Sequence, residues 1–190
     1  MHPQLAAIVD EFMAAQAHLH QLAARVAPDQ WTKRPDPKSW SVAECVEHLN
    51  LTARTFLPLL ERALADARAL GAPAPARYRR DLMGWLLWKT MPPPVRFRVP
   101  TAPSFIPGAD RSPAELLAEF DRLQAEQIRL TRAADGLPLQ KIRVPSPFNA
   151  KASYNAFSAL SILPPHQERH IWQAERALAS HERHRLEPRA

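Results

Sequence analysis

The chain has 190 residues, 46% hydrophobic and 23% charged, which excludes disorder over the whole chain and leaves room for one sizeable core. With only 4 glycines, a hairpin-rich β protein is disfavoured, because its tight turns need positive φ. The net charge is +6, but the arginines mostly alternate with acidic residues instead of clustering, so we expect no nucleic-acid partner.

Targeting and redox signals indicate a reducing compartment. The single cysteine, Cys45, cannot form an intrachain disulfide. No apolar run reaches the ~18 residues of a membrane span. The first residues also lack the basic start and apolar core of a signal peptide. We therefore expect a cytoplasmic protein with no membrane partner.

The 20 prolines divide the chain, because proline is not tolerated inside most helices. Four proline-free windows, 4–27, 38–57, 114–137 and 166–187, are each long enough for five helical turns. Residues 73–113 hold nine prolines. The pattern predicts an all-α four-helix bundle in one domain, residues 1–190, with an irregular insertion over 73–112 between the second and third helices. The tail from about residue 185 is expected to fray.

The second predicted helix has the clearest boundaries. Ser41 and Glu44 have the spacing of a capping box, in which each side chain bonds the other residue's backbone N–H. The apolar pattern continues past Pro58, so we expect a bend there and an end at Gly71. Within the insertion, residues 81–90 are predicted to form a short helix.

The first and third predicted helices carry apolar stripes with alternating spacings of three and four. The third begins after Ser112, with Pro113 in its first turn, and stops at Gly136. Gln127 interrupts its stripe. We interpret it as turned outward by the neighbouring Ile128, with a polar pocket as the alternative. The stripe of the first helix comprises Leu5, Ile8, Phe12, Ala15, Leu19, Leu22 and Val26.

The fourth predicted helix covers about 166–184, with a helical lead-in over 153–163. Pro164 and Pro165 lie at the junction, and neither supplies an amide hydrogen. We therefore predict a break or kink there.

Two histidines of the fourth helix have the spacing of a metal-binding pair. His166 and His170 are four residues apart, which places both imidazoles on one face of a helix. The pattern is not the zincin motif, because Glu168 is rotated away from that face. Taken alone, this spacing is more often found on an ordinary surface than at a metal site.

A third ligand is offered by His48, which lies beside the apolar stripe of the second helix. Three imidazoles from two helices would leave positions open on an ion, as in catalytic sites. Glu44, one turn before His48, and Gln173, beyond His170, are candidates to orient the ligand rings. The alternative role for Glu44 is the capping box, and for Cys45 we expect a packed core thiol.

The residues around these histidines resemble a known family. W-S-V-A-E-C-V-E-H-L, residues 40–49, and H-Q-E-R-H-I-W-Q, residues 166–173, resemble the helix-2 and helix-4 signatures of the DinB/YfiT-like superfamily. The resemblance covers most of the chain. It implies a four-helix bundle that binds one divalent metal, zinc or nickel, through three histidines, which correspond here to His48, His166 and His170.

Relatives in that family include S-transferases and isomerases that use a low-molecular-weight thiol such as bacillithiol, mycothiol or glutathione. The resemblance therefore implies a metal-dependent enzyme that transfers a thiol to a small-molecule substrate, and it leaves a homodimer open. Arg96 and Arg98 of the insertion are candidates to hold the carboxylates of the thiol cofactor. The alternatives are a metal-dependent hydrolase and a non-catalytic metal- or ligand-binding bundle that acts in a stress response.

Overall fold

A computed structural model of the protein describes residues 1–94, 101–108, 111–149 and 151–186. For residues 184–186 it describes the backbone only. Five helices and one hairpin make up the fold. The helices are α1 (Pro3–Ala23), α2 (Val42–Ala69), α3 (Leu82–Thr90), α4 (Pro113–Ala133) and α5 (Ala156–Leu186). The strands are β1 (Arg143–Pro145) and β2 (Ser153–Asn155), which pair antiparallel.

Helices α1, α2, α4 and α5 pack together as a four-helix bundle, which confirms the predicted fold class. The capping box of α2 is present: Glu44 accepts from the Ser41 N–H at 2.8 Å, and Ser41 Oγ accepts from the Glu44 N–H at 3.2 Å. Helix α2 continues through Pro58, as predicted, and Gly71 follows it with φ 62°.

The end of the chain differs from the prediction in two ways. Residues 153–155 form β2 instead of a helical lead-in. Helix α5 then runs without interruption through Pro164 and Pro165, so the predicted break is wrong. Every residue from 154 to 167 is buried, and packing on all sides holds the helix although two amide hydrogens are missing.

The bundle core is divided into two apolar clusters. One contains Phe12, Phe56 and Leu130, and the other contains Leu19 and Phe120. The clusters are separated by a layer of buried polar side chains, which we call the polar layer. It comprises His48 and Thr52 of α2, Gln124 and Gln127 of α4, and His166, Gln167 and His170 of α5.

The glutamines of the polar layer satisfy one another. Gln124 Nε2 donates to the backbone oxygen of Phe12 at 2.6 Å and to Gln167 Oε1 at 3.0 Å. Gln167 Nε2 donates in return to Gln124 Oε1 at 2.7 Å. Gln127 joins through a 3.2 Å bond to the same oxygen and is 2% exposed, so the outward interpretation of Gln127 is wrong and the polar pocket is correct.

The described part of the insertion contains two regular elements. The short helix predicted over 81–90 is present as α3, which packs on α5. Residues Pro103–Phe105 form a 3-10 turn, and Phe105 is buried. No helix in the described part of the chain combines the length and apolar character needed to cross a bilayer.

Helix α3 approaches α5 at a glycine. A Cβ atom on Gly84 would lie 2.1 Å from Ser158 Oγ and 2.2 Å from Ser158 Cβ, and Ser158 is fully buried. Only a residue without a side chain fits at this crossing.

We expect Gly84→Ala to lower the free energy of unfolding by about 1–3 kcal/mol, because overpacking outweighs the gain in helix propensity. Leu82→Ala on the same helix, where the side chain is 80% exposed, should change it by less than about 0.5 kcal/mol. Denaturant unfolding of both variants checks this, and an unchanged midpoint for Gly84→Ala would contradict it.

Hydrogen bonds from His18 join α1 to α5. The ring nitrogens of His18 donate to Glu168 at 2.9 Å and to Glu175 at 3.1 Å. Burial lowers the pKa of His18, but the hydrogen bonds and charges of the two carboxylates outweigh it, so this pKa lies above its usual 6.5.

Because the folded pKa of His18 is raised, its contribution to stability is full below the unfolded value of 6.5 and is lost as pH rises through the folded value. We expect His18→Gln to cost about 0.5 kcal/mol near pH 6 and less near pH 9, the size of a partly exposed, solvent-screened pair. Unfolding of both proteins at the two pH values measures the difference. An equal cost at both would contradict the assignment.

Candidate metal centre

Three histidines from two helices converge in the polar layer. The ring centroids of His48 and His170 are 4.3 Å apart, those of His166 and His170 4.6 Å, and those of His48 and His166 5.3 Å. One ring nitrogen of each lies within 4.8 Å of the other two. The side chains are 3%, 7% and 8% exposed for His48, His166 and His170. The cluster is therefore buried but not sealed.

Two of the rings are held by their Nδ1 atoms. His48 Nδ1 donates to the backbone oxygen of Phe105 at 2.8 Å, because a carbonyl can only accept. His170 Nδ1 lies 3.1 Å from Gln173 Oε1. A ring that donates through Nδ1 presents an unprotonated Nε2, which is the form that binds a metal ion.

The third ring, that of His166, is not held in this way. His166 Nδ1 is buried and has no hydrogen-bond partner among the described residues. Buried polar atoms almost always find a partner, so an atom of this kind often marks the place of an ion or water.

The electrostatic surroundings keep all three rings neutral at neutral pH. Burial lowers the pKa of His48, although the bond to Phe105 partly opposes this. Burial, together with the nearby imidazoles and the charge of Arg169, holds the pKa values of His166 and His170 well below 6.5. Neutral imidazole is the ligand form, and three such nitrogens suit a divalent ion such as zinc or nickel. The residues present therefore fit a metal ion.

The structure assigns different roles to the other predicted site residues. Gln173 contacts His170 as described, whereas the Glu44 carboxylate is occupied by Ser41 and by Arg34, so it serves the helix cap. Phe105 takes the place predicted for Glu44 beside His48. Sequence analysis missed Phe105, because a backbone carbonyl has no sequence signature. Arg96 and Arg98 lie outside the described residues.

Aromatic side chains surround the cluster. The Trp40 ring lies 4.9 Å from that of His48 and 5.8 Å from that of His170, and the Phe148 ring lies 5.9 Å from that of His166. Trp40 and Phe148 are both partly exposed. Phe105 packs against Phe148 at 4.4 Å. The site is thus walled by apolar rings, two of which reach the surface.

Two other histidines and the single cysteine make contacts away from this cluster. His20 Nε2 lies 2.7 Å from Asp121, and His181 Nε2 donates to the backbone oxygen of Lys33 at 2.9 Å. Cys45 is buried in an apolar cluster, and burial raises the pKa of its thiol, which confirms a packed thiol. In the described part of the chain, no second group of three metal-binding side chains is found.

A sequence model of the DinB superfamily matches residues 11–174, which include all three histidines. The chain belongs to the DinB superfamily. No curated protein and no solved structure matches this chain. The match covers most of the bundle, and the three-histidine cluster of this DinB protein is one that could hold a metal ion.

Trp40 offers a direct probe of the centre, since its ring contacts two of the three imidazoles. We expect about one equivalent of Ni²⁺ to bind and to quench part of the tryptophan fluorescence. His166→Ala should weaken Ni²⁺ binding by more than ~100-fold, because it removes a metal ligand. Removing a residue that only hydrogen-bonds to a ligand typically costs less than this.

Trp40→Phe should remove the quenching while Ni²⁺ still binds, whereas Trp85→Phe, on the exposed face of α3, should leave the quenching intact. Fluorescence titration and metal analysis of protein without an affinity tag measure both quantities. Equal Ni²⁺ affinity in wild type and His166→Ala would contradict the site.

Proposed function

We propose that this DinB-superfamily protein is a divalent-metal-dependent enzyme, with zinc or nickel held by His48, His166 and His170. We further propose that it transfers a low-molecular-weight thiol to a small electrophilic substrate. The observation that carries the metal assignment is the convergence of three neutral, buried imidazoles, one with an unpartnered nitrogen.

Three histidine ligands leave room for one or two further ligands, the arrangement found in catalytic zinc sites. A divalent ion at such a site lowers the pKa of a coordinated thiol or water, so that the anion is present at neutral pH. Phe105 holds the ring of His48 and Gln173 holds that of His170. The surrounding aromatic rings limit access of water.

The hydrogen bonds and ion pairs of the nearby carboxylates favour thiol transfer over hydrolysis. The carboxylates nearest to the histidines along the chain are occupied: Glu44 binds Arg34 and Ser41, Glu47 binds Arg54 and Arg111, and Glu168 binds His18. No group positioned as a general base for water is thus evident among the described side chains. Because a free thiol has a much lower pKa than free water, formation of its coordinated anion depends less on such a base.

The nucleophile has to come from a cofactor. Cys45 is 1% exposed, and its thiol is packed among apolar residues of the bundle. A protein thiolate at this position would be strongly disfavoured by burial. The proposal therefore needs a soluble thiol as co-substrate.

The test uses protein loaded with Zn²⁺ or Ni²⁺, a panel of bacillithiol, mycothiol and glutathione, and monobromobimane as the electrophile. We expect one thiol to react faster than in buffer, and His48→Ala to abolish the enhancement because it removes a metal ligand. His20→Ala is the matched control, since His20 lies on α1 and bonds to Asp121.

Metal uptake without turnover above the His48→Ala background for any thiol would overturn the transferase proposal. A non-catalytic metal-binding bundle would then be the better description. Turnover that depends on metal and on water, but not on a thiol, would instead identify a hydrolase.

A further inference from the structure

One buried hydroxyl near the histidine cluster, that of Thr52, has no hydrogen-bond partner in the described part of the chain. Thr52 is 2% exposed, and its Oγ1 makes no hydrogen bond to any described residue. A buried polar atom of this kind calls for an explanation, and an absent water, ion or ligand is a common one.

The other helical threonines show that this is not a general property of the fold. Thr55, Thr90 and Thr131 each donate to the carbonyl four residues earlier, at 2.9, 2.8 and 2.8 Å. This is the usual way in which a helix satisfies a threonine hydroxyl. Thr52 does not use the corresponding carbonyl, that of His48, so its hydroxyl remains available.

Thr52 lies one helical turn from His48 on α2. Thr52 is one turn after His48 and one turn before Phe56, so the three share a helix face. The Phe148 ring lies 5.9 Å from that of Phe56 and 5.9 Å from that of His166, and the His166 ring lies 5.3 Å from that of His48. Thr52 therefore lies in the stretch of α2 flanked by the histidines and Phe148.

An anion bound at the histidine cluster would need hydrogen-bond donors around it. The three imidazoles are neutral, and the described rings around them, Trp40, Phe105 and Phe148, are aromatic. Among these described rings the indole N–H of Trp40 can donate a hydrogen bond, and an anion held there would need any further donor from another nearby side chain. A threonine hydroxyl donates one such bond.

We propose that Thr52 is a ligand-binding residue of the three-histidine site, whose hydroxyl donates a hydrogen bond to the anionic sulfur or oxygen atom of the bound ligand. This inference rests on the proposed function, because it requires a metal at the histidines. It adds a specificity: the site selects a ligand atom that can accept a hydrogen bond.

The test uses Co²⁺ as a coloured substitute metal and azide as the anionic probe, followed by visible absorption. Thr52→Val keeps the shape of the side chain and removes the donor, so azide should bind about tenfold more weakly, the loss of one hydrogen bond. Thr52→Ser should keep azide affinity within about twofold. Thr55→Val, on the same helix but exposed and bonded to Leu51, is the matched control and should match wild type.

A second readout needs no metal. Because the hydroxyl bonds to none of the residues that the structure describes, Thr52→Val in the metal-free protein should leave the melting temperature unchanged or raise it. A lower melting temperature would show a structural role for the hydroxyl and overturn the inference.

The outcomes separate the two proposals. Wild-type protein that takes up no Co²⁺ would overturn both the metal centre and the role of Thr52. Co²⁺ uptake that is lost in His48→Ala, combined with equal azide affinity in wild type and Thr52→Val, would overturn only the role of Thr52.

Discussion

The bundle has to bury a polar layer between its two apolar clusters. Three imidazoles in a bundle interior are costly unless their nitrogens are bound, because burial without partners leaves desolvated polar atoms. In this protein Phe105 and Gln173 satisfy two of them, and the nitrogen of His166 remains for another partner. The bundle therefore buries three imidazoles that together could hold a metal ion. Its membership of the DinB superfamily is consistent with a metal in that position.

Hydrogen bonds to α4 and α1 fix the position of helix α5. Gln167 bonds Gln124 of α4, and His18 of α1 bonds Glu168 and Glu175, so hydrogen bonds flank the histidine pair on neighbouring turns. These contacts set the rotation of α5 and hence the direction of His166 and His170 toward α2. Two prolines immediately before His166 would weaken an isolated helix, and burial on all sides compensates for them. The rigidity of the site therefore comes from tertiary contacts more than from local helix propensity.

The insertion between α2 and α4 contributes to the site directly. Its 3-10 turn brings the Phe105 carbonyl to His48, and its α3 packs on α5 at Gly84, where no side chain fits. A connection that is long and rich in proline is often functional, and here it supplies both a hydrogen-bond acceptor and an aromatic wall. Neither contribution depends on a charged or nucleophilic residue, so neither could be recognised from residue type.

Local sequence patterns were enough to predict the helical bundle, the capping box at Ser41 and the candidate trio of histidines, because helix periodicity, capping and i, i+4 spacing are local properties. Other features became clear only from long-range packing. It showed that Pro164 and Pro165 do not break α5, that Gln127 faces inward, and that Glu44 serves Arg34 and Ser41 while Phe105 holds His48. Each of these outcomes depends on which distant segment packs nearby, and local sequence cannot encode the energy of contacts made only after the helices assemble.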